Sequence, residues 1–304
     1  MNLIAATYAP MHSDLSLNLE VIEGYGDFLK FNNIKGAFIN GSTGDFVSLS
    51  TNERKNIMKA WSAHRSEGFQ VINHVGHTSL LEAVELARHS AGLADGIAVI
   101  APYYFKVRTL DQLVQYCKEV AAAAPQLPFY YYHIPVLSGT YFKMHDFVQL
   151  AYEEIPNFRG VKFTHNDFVD FQQCLQYKRK EGKDLELFFG IDEMFVNSLS
   201  LGGQGWVGST YNHLAPLYTD IYRVFELKDY QRANELQNMA VQFVQILDGY
   251  GGFNGAGKSF MKLLGVDCGP SRFPHATLSE KDLKNAQLKM EEYGLTAPNF
   301  SKYN

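Results

Sequence analysis

The chain has 304 residues, 46% of them apolar and 19% charged, with 22 Phe and 18 Tyr, which is ample core material and excludes a disordered chain. The net charge of −5 argues against nucleic-acid binding through a broad basic face. No apolar run reaches the roughly 18 residues of a membrane span. The N-terminal stretch Met1-Asn-Leu-Ile-Ala-Ala-Thr-Tyr8 shows no basic n-region or apolar h-region, so no signal peptide is expected. Cys117, Cys174 and Cys268 lie far apart without a CxxC, which is no disulfide framework or zinc ribbon. The expectation is a globular protein of a reducing compartment, the cytoplasm.

Eight short β-rich apolar runs recur at residues 3–9, 36–40, 70–76, 96–102, 128–135, 158–164, 185–192 and 205–209. Helix-like stretches lie between them. Ser50-Thr51-Asn52-Glu53 opens one with a capping-box pattern. Residues 80–93 carry Leu81, Val84, Leu86, Ala87 and Ala91 near helical spacing, and 110–124 and 167–180 read the same way. Strands alternating with helices predict a parallel sheet, and eight such units predict a closed (β/α)8 TIM barrel. An open doubly wound sheet is the alternative. Beyond residue 217 no strand pattern recurs, and 229–247, 258–264 and 279–293 read as helices. The expected organisation is a barrel over residues 1–228 with a helical C-terminal extension, 229–304, packed on it.

Two motifs invite other readings. Gly252-Phe253-Asn254-Gly255-Ala256-Gly257-Lys258-Ser259 matches the phosphate-binding pattern G-x-x-x-x-G-K-S. That pattern needs a preceding strand, and residues 239–247 read as helix, so a glycine-rich turn with an exposed Lys258 is expected instead. His74 and His77 suggest a metal site, but an offset of three puts them on opposite faces of a strand, and no acidic third ligand stands near. No metal is expected.

In barrel enzymes the chemistry gathers at the C-terminal ends of the strands. The second run ends in Asn40-Gly41-Ser42-Thr43-Gly44-Asp45, where glycines free backbone N–H groups beside two hydroxyls, a turn suited to a small carboxylate. The fifth carries Tyr130 and Tyr132 on one face. Tyr132 at the strand end can move a proton, although packing between barrel and helices is the plainer use of such rings. The sixth places Lys162 inside an apolar run, on the same face as Gly160 and Thr164. Facing inward, its desolvated amine could attack a carbonyl. Spacing alone leaves a nucleophile and an exposed strand-edge lysine equally open. The seventh ends in Gly190-Ile191-Asp192-Glu193 and the eighth in Gly208-Ser209-Thr210-Tyr211-Asn212, carboxylates and hydroxyls that suit a polyol. Asp192 and Glu193 also suit the first turn of a helix.

Gly41-Ser-Thr-Gly44, Tyr132-x-Ile-Pro135, Gly160-Val-Lys162-x-Thr164, Gly190-x-Asp-Glu193 and Gly208-Ser-Thr-Tyr-Asn212 occur in the order and spacing of one family. From about residue 3 to 295 the chain resembles the sialic acid aldolases (N-acetylneuraminate lyases) among the dihydrodipicolinate synthase-like class I aldolases. The resemblance implies reversible cleavage of N-acetylneuraminate to N-acetylmannosamine and pyruvate, without cofactor or metal. By it, Lys162 is the Schiff-base lysine and Tyr132 the proton shuttle. Ser42 and Thr43 cradle the carboxylate, and Ser42 also supports Tyr132. Thr164, Gly190, Asp192, Glu193 and Ser209 hold the sugar chain, and Phe253 is an aromatic wall. Pro102-Tyr103-Tyr104 resembles a segment that lends a tyrosine to a neighbouring subunit, Tyr104 being the expected one, in a homotetramer. Leu137 stands where dihydrodipicolinate synthases usually carry an arginine for a second carboxylate, which favours the sugar-acid substrate. Asp45 replaces the family's usual Glu, and His133 gives the Tyr132 segment an animal-like look. The alternatives are a related pyruvate-dependent aldolase for another 2-keto sugar acid, or a noncatalytic keto-acid-binding module.

Overall fold

Each of the eight apolar runs forms a strand. The computed structural model describes residues 1–302. Its strands are β1 (Leu3–Ala6), β2 (Gly36–Ile39), β3 (Gln70–His74), β4 (Gly96–Ile100), β5 (Phe129–His133), β6 (Phe158–Phe163), β7 (Glu186–Phe189) and β8 (Gly205–Gly208). They pair in parallel in sequence order, and β8 closes on β1, so the architecture is the (β/α)8 barrel and not an open sheet. The strands are shorter than the apolar runs, and most of the trimming is at their C-terminal ends. There the chain peels off into loops: Asn40 takes a left-handed φ of 55° that ends β2, while Thr7 keeps one more bond, to the Phe38 carbonyl.

The barrel helices are α1 (Val21–Phe31), α2 (Thr51–Trp61), α3 (Leu80–Ser90), α4 (Leu110–Ala122), α5 (Met144–Glu154), α6 (Phe168–Lys180), α7 (Phe195–Ser200) and α8 (Tyr211–Glu226). Local chemistry starts several of them. Ser50 and Glu53 form the capping box of α2, and Ser79, Thr109 and Asp167 cap α3, α4 and α6 through their side chains. The extension carries α9 (Tyr230–Gly249) and α10 (Glu280–Glu292), also side-chain capped, by Asp229 and Ser279.

The two-residue strand period sorts the core into two layers. Leu3, Ala5, Ala37, Val71, Ile97, Tyr131, Val161, Phe189 and Trp206 face the helices in one large cluster. Ile4, Phe38, Ile72, Ala98, Tyr130, Tyr132, Phe188 and Val207 fill the barrel interior as a second cluster. Tyr130 is used structurally: its hydroxyl donates to Glu186 at 2.6 Å. No helix among the described residues is long and apolar enough to cross a membrane.

Candidate active site

Lys162, on β6, is a polar exception in this apolar interior, and it points inward with only 4% of its surface exposed. Its Nζ lies over two rings, 4.2 Å from the centre of Phe38 and 4.1 Å from that of Tyr132. Burial pulls the amine from its ordinary 10.5 down to about 7, with the Asp192 carboxylate opposing. The sequence left an exposed edge lysine open; the inward parity of β6 removes that alternative.

Tyr132 ends β5 beside it. Its hydroxyl stands 3.5 Å from Ser42 Oγ. Burial pushes the phenol up to about 12, and the Ser42 and Thr164 hydroxyls pull the other way. Ser42 and Thr43 lie in the turn after β2, which is built on two left-handed residues, Asn40 and Asp45. A Cβ on Gly41 would press on the Phe38 ring at 2.8 Å, so the turn needs that glycine. Asn40 Nδ2 donates to the Arg54 carbonyl and to Asn73 Oδ1, and buried Arg54 donates to the carbonyls of His74 and Gly76. These bonds tie the turn to β3.

The opposite wall comes from β7 and β8. Asp192 opens a 3₁₀ turn, Asp192–Met194, and is buried. Its Oδ2 accepts the Thr210 N–H at 2.9 Å and the Thr210 hydroxyl at 2.6 Å, while Oδ1 has no partner. Burial raises its pKa above the ordinary carboxyl value, and burial does the same for Glu193. A Cβ on Gly208 would run into the Asp192 carboxylate, and one on Gly190 into the Thr164 hydroxyl, so both glycines let side chains of the site close in. Ser209 is half-buried, its carbonyl taking a bond from Asn212 at 2.8 Å. Phe253 begins a π-helical turn, Phe253–Gly257, and Asn254 beside it donates to the Ser42 carbonyl at 2.8 Å.

Within one chain Tyr104 does not join the others. It stands 77% exposed against the equally bare Phe105, whereas Tyr103 turns inward onto Phe46. His74 is buried in the barrel, its Nδ1 on the Asn40 carbonyl, and His77 accepts the Ser79 N–H outside it. Among the described residues no three His, Cys, Asp or Glu side chains gather as a metal site would require.

The glycine-rich segment needs a correction. It follows helix α9 rather than a strand, as the sequence indicated. Lys258, however, is not exposed: only 6% of its surface is accessible, and its Nζ donates to the Pro270 carbonyl at 2.7 Å. The π-helical turn folds the lysine inward, and burial lowers its pKa to about 8. Arg54 and Gln237 escaped the sequence reading, and Thr210 and Asn254 were quoted there only within motifs, without these roles. Each works on backbone groups or on one buried carboxylate, partners that no local motif announces.

A closed barrel with a dry lysine amine, a tyrosine and a serine at its C-terminal mouth defines a class of (β/α)8 proteins equipped to react an amine with a carbonyl. The chain matches the Dihydrodipicolinate synthetase family over residues 1–292, and it belongs to that family. It is 40% identical over 293 residues to the N-acetylneuraminate lyases of Homo sapiens and of Pongo abelii, across 95% of this chain and 91% of each relative. Among solved structures it is similar to Proteus mirabilis N-acetylneuraminate lyase, with a TM-score of 0.91 and 35% identity over 97% of this chain and 99% of that one. The sialic acid aldolase of Aliivibrio salmonicida gives a TM-score of 0.91 at 32% identity, covering 98% of both chains.

Proposed function

We propose that this protein is a class I aldolase, a carbon–carbon lyase that cleaves N-acetylneuraminate reversibly to N-acetylmannosamine and pyruvate. One observation carries the mechanism: Lys162 is buried at the barrel mouth with its amine brought to about 7, so a large share is neutral near neutrality.

In this reading, Lys162 Nζ attacks the C2 ketone of the open-chain sugar acid. Ser42 and Thr43 hold its carboxylate. Tyr132, a phenol at neutrality, gives its proton to the departing hydroxyl of the carbinolamine. Water leaves, and an iminium on Lys162 and a phenolate remain. The phenolate takes the C4 hydroxyl proton as the C3–C4 bond breaks. The bonding electrons flow into the iminium, giving an enamine and freeing N-acetylmannosamine. Tyr132 then returns the proton to C3, and water hydrolyses the new iminium to pyruvate and the free amine. Thr164, Gly190, Asp192, Glu193 and Ser209 take the sugar hydroxyls, with Phe253 as a wall. The lysine itself is the electron sink, so the reading requires no cofactor.

We further place the enzyme in the cytoplasm as a homotetramer in which Tyr104 reaches a neighbour's site. Supporting the oligomer, the segments after β4 and β5 expose Tyr104, Phe105, Val136, Leu137 and Tyr141. The decisive experiment is intact-mass spectrometry after pyruvate and borohydride. One reduced pyruvoyl unit on Lys162 is the expected result; a folded protein without an adduct overturns the mechanism.

A further inference from the structure

The chain beyond α8 adds no strand to the barrel, yet it reaches both halves of the mouth with a side-chain amide. From the π-helical turn, Asn254 Nδ2 donates to the Ser42 carbonyl at 2.8 Å. From α9, the Gln237 amide spans two backbone groups: Nε2 donates to the Asp192 carbonyl at 3.1 Å, and Oε1 accepts the Val196 N–H at 3.0 Å. We propose that Asn254 and Gln237 are positioning residues that set the two halves of the site separately. Asn254 fixes the turn that takes the keto-acid carboxylate, and Gln237 fixes the turn that takes the sugar hydroxyls. The inference rests on the functional reading above.

The Gln237 geometry is specific. Residues 192 and 196 are four apart, the pair that an α-helix joins directly through C=O and N–H. Here the glutamine amide stands between them, as an inserted side chain does when it opens a helical ladder. Phe195 N–H instead closes a 3₁₀ bond to Asp192. The inserted amide therefore keeps residues 192–194 from winding into α7, and so sets where the Asp192 and Glu193 side chains emerge. Its orientation is fixed by chemistry, since a flipped amide would set oxygen against the Asp192 carbonyl and N–H against the Val196 N–H. Gln237 is 6% exposed, so water does not replace it freely.

Asn254 acts on the other turn. It holds the backbone of Ser42, whose hydroxyl lies by Tyr132. Its own carbonyl accepts the Ser271 hydroxyl, and its neighbour Gly255 packs so closely that a Cβ there would meet the Ala276 carbonyl at 2.5 Å. The amide is thus presented from a braced turn. The phosphate-loop lettering of this segment serves the substrate carboxylate indirectly.

The test is steady-state kinetics in the synthetic direction, with KM measured separately for pyruvate and for N-acetylmannosamine. Asn254→Ala should raise the pyruvate KM about tenfold, the effect of losing one hydrogen bond's worth of placement, and leave the N-acetylmannosamine KM within about twofold. Gln237→Met should do the reverse. Gln237→Glu keeps the acceptor for Val196 N–H but sets an oxygen against the Asp192 carbonyl; it must give the same split, and stands in if the Met variant does not fold. Asn254→Asp plays that part for the other turn. Parallel changes in both KM values, no change, or a fall in kcat alone would each overturn the proposal. Borohydride trapping of the wild-type protein with pyruvate separates the two levels: no trapping sinks the functional reading, whereas normal trapping with unsplit KM values sinks this inference alone.

Discussion

Replacing Lys162 with Met should make the protein inactive and more stable, and the gain should depend on pH. The amine drops from 10.5 to about 7 on folding because burial disfavours its charge. That shift corresponds to about 5 kcal/mol of differential interaction. The folded pKa lies below the unfolded one, so between these values the unfolded chain holds a proton that the folded chain lacks. Stability therefore rises with pH through that window. The destabilisation is full below about 7 and gone above about 10.5. Methionine keeps an unbranched stem over the Phe38 and Tyr132 rings and carries no charge. Allowing for imperfect packing, a net gain of about 3 kcal/mol at pH 6.5 is expected, or roughly 5 °C in melting temperature for a chain of this size. Circular-dichroism melts of both proteins at pH 6.5, 8 and 9.5 read the gap, and comparison with the variant cancels the other titrating groups. The gap should shrink steadily toward alkaline pH. A constant gap, or a wild type that is more stable at pH 6.5, would refute the argument that this amine is desolvated. The same value predicts that wild-type kcat/KM rises with pH through about 7.

Three further outcomes follow from single contacts. Tyr132→Phe removes the proposed proton carrier and should cut cleavage by about 10²–10⁴ with an unchanged melt; near-normal turnover would reassign the shuttle. Gly208→Ala drives a methyl into the Asp192 carboxylate, so it should raise the N-acetylmannosamine KM by roughly tenfold while pyruvate still traps on Lys162. Equal effects on both substrates would show the damage to be general. Arg272→Gln breaks the ion pair that holds Glu53 down at about 2. A depressed carboxyl stabilises above its ordinary value near 4.5 and loses that stability as pH falls toward 2. The pair is partly exposed, so solvent trims it to about 1 kcal/mol. Acid titrations of stability should show this loss in the wild type and a smaller one in the variant, whose Glu53 keeps its Ser50 bonds.

The barrel was legible because each strand carries its own evidence: a short apolar run, bounded by turn residues, at a regular spacing. The strand ends were overreached because the loops at the mouth are themselves apolar, as in Thr7-Tyr8-Ala9, and only backbone geometry ends the ladder there. Parity put Lys162 on one face with Thr164, and Tyr132 on one face with Tyr130, but which face looks inward came only with the closed barrel. Lys258 could not be placed, since a lysine after Gly255-Ala256-Gly257 reads as a turn tip and its acceptor is a backbone carbonyl twelve residues on. Gln237 sits on a long amphipathic helix where one more glutamine is unremarkable, and its partners are again backbone groups. Tyr103 and Tyr104 are adjacent and chemically alike, and the structure separates them by turning only the first onto Phe46.

The electrostatic influence of Lys162 and Asp192 on each other links the two halves of the proposed reaction. In the free protein both groups are buried and each leans toward its neutral form, the amine falling and the carboxyl rising. Each also favours the other's charge, because opposite charges in a dry site attract more strongly than in water. An iminium on Lys162, in the protonated form that draws the C3–C4 electrons, carries a positive charge where the free amine is largely neutral. Once it forms, the balance at Asp192 shifts toward the carboxylate, the form that accepts hydroxyl hydrogen bonds at both oxygens. Thr210 already occupies Oδ2 twice and the Tyr211 hydroxyl bears on the same buried carboxylate, so the shift acts on a wall of the proposed sugar site that hydrogen bonds already order. Reaction at the keto-acid end therefore strengthens the wall at the sugar end, and in synthesis this favours pyruvate binding before N-acetylmannosamine.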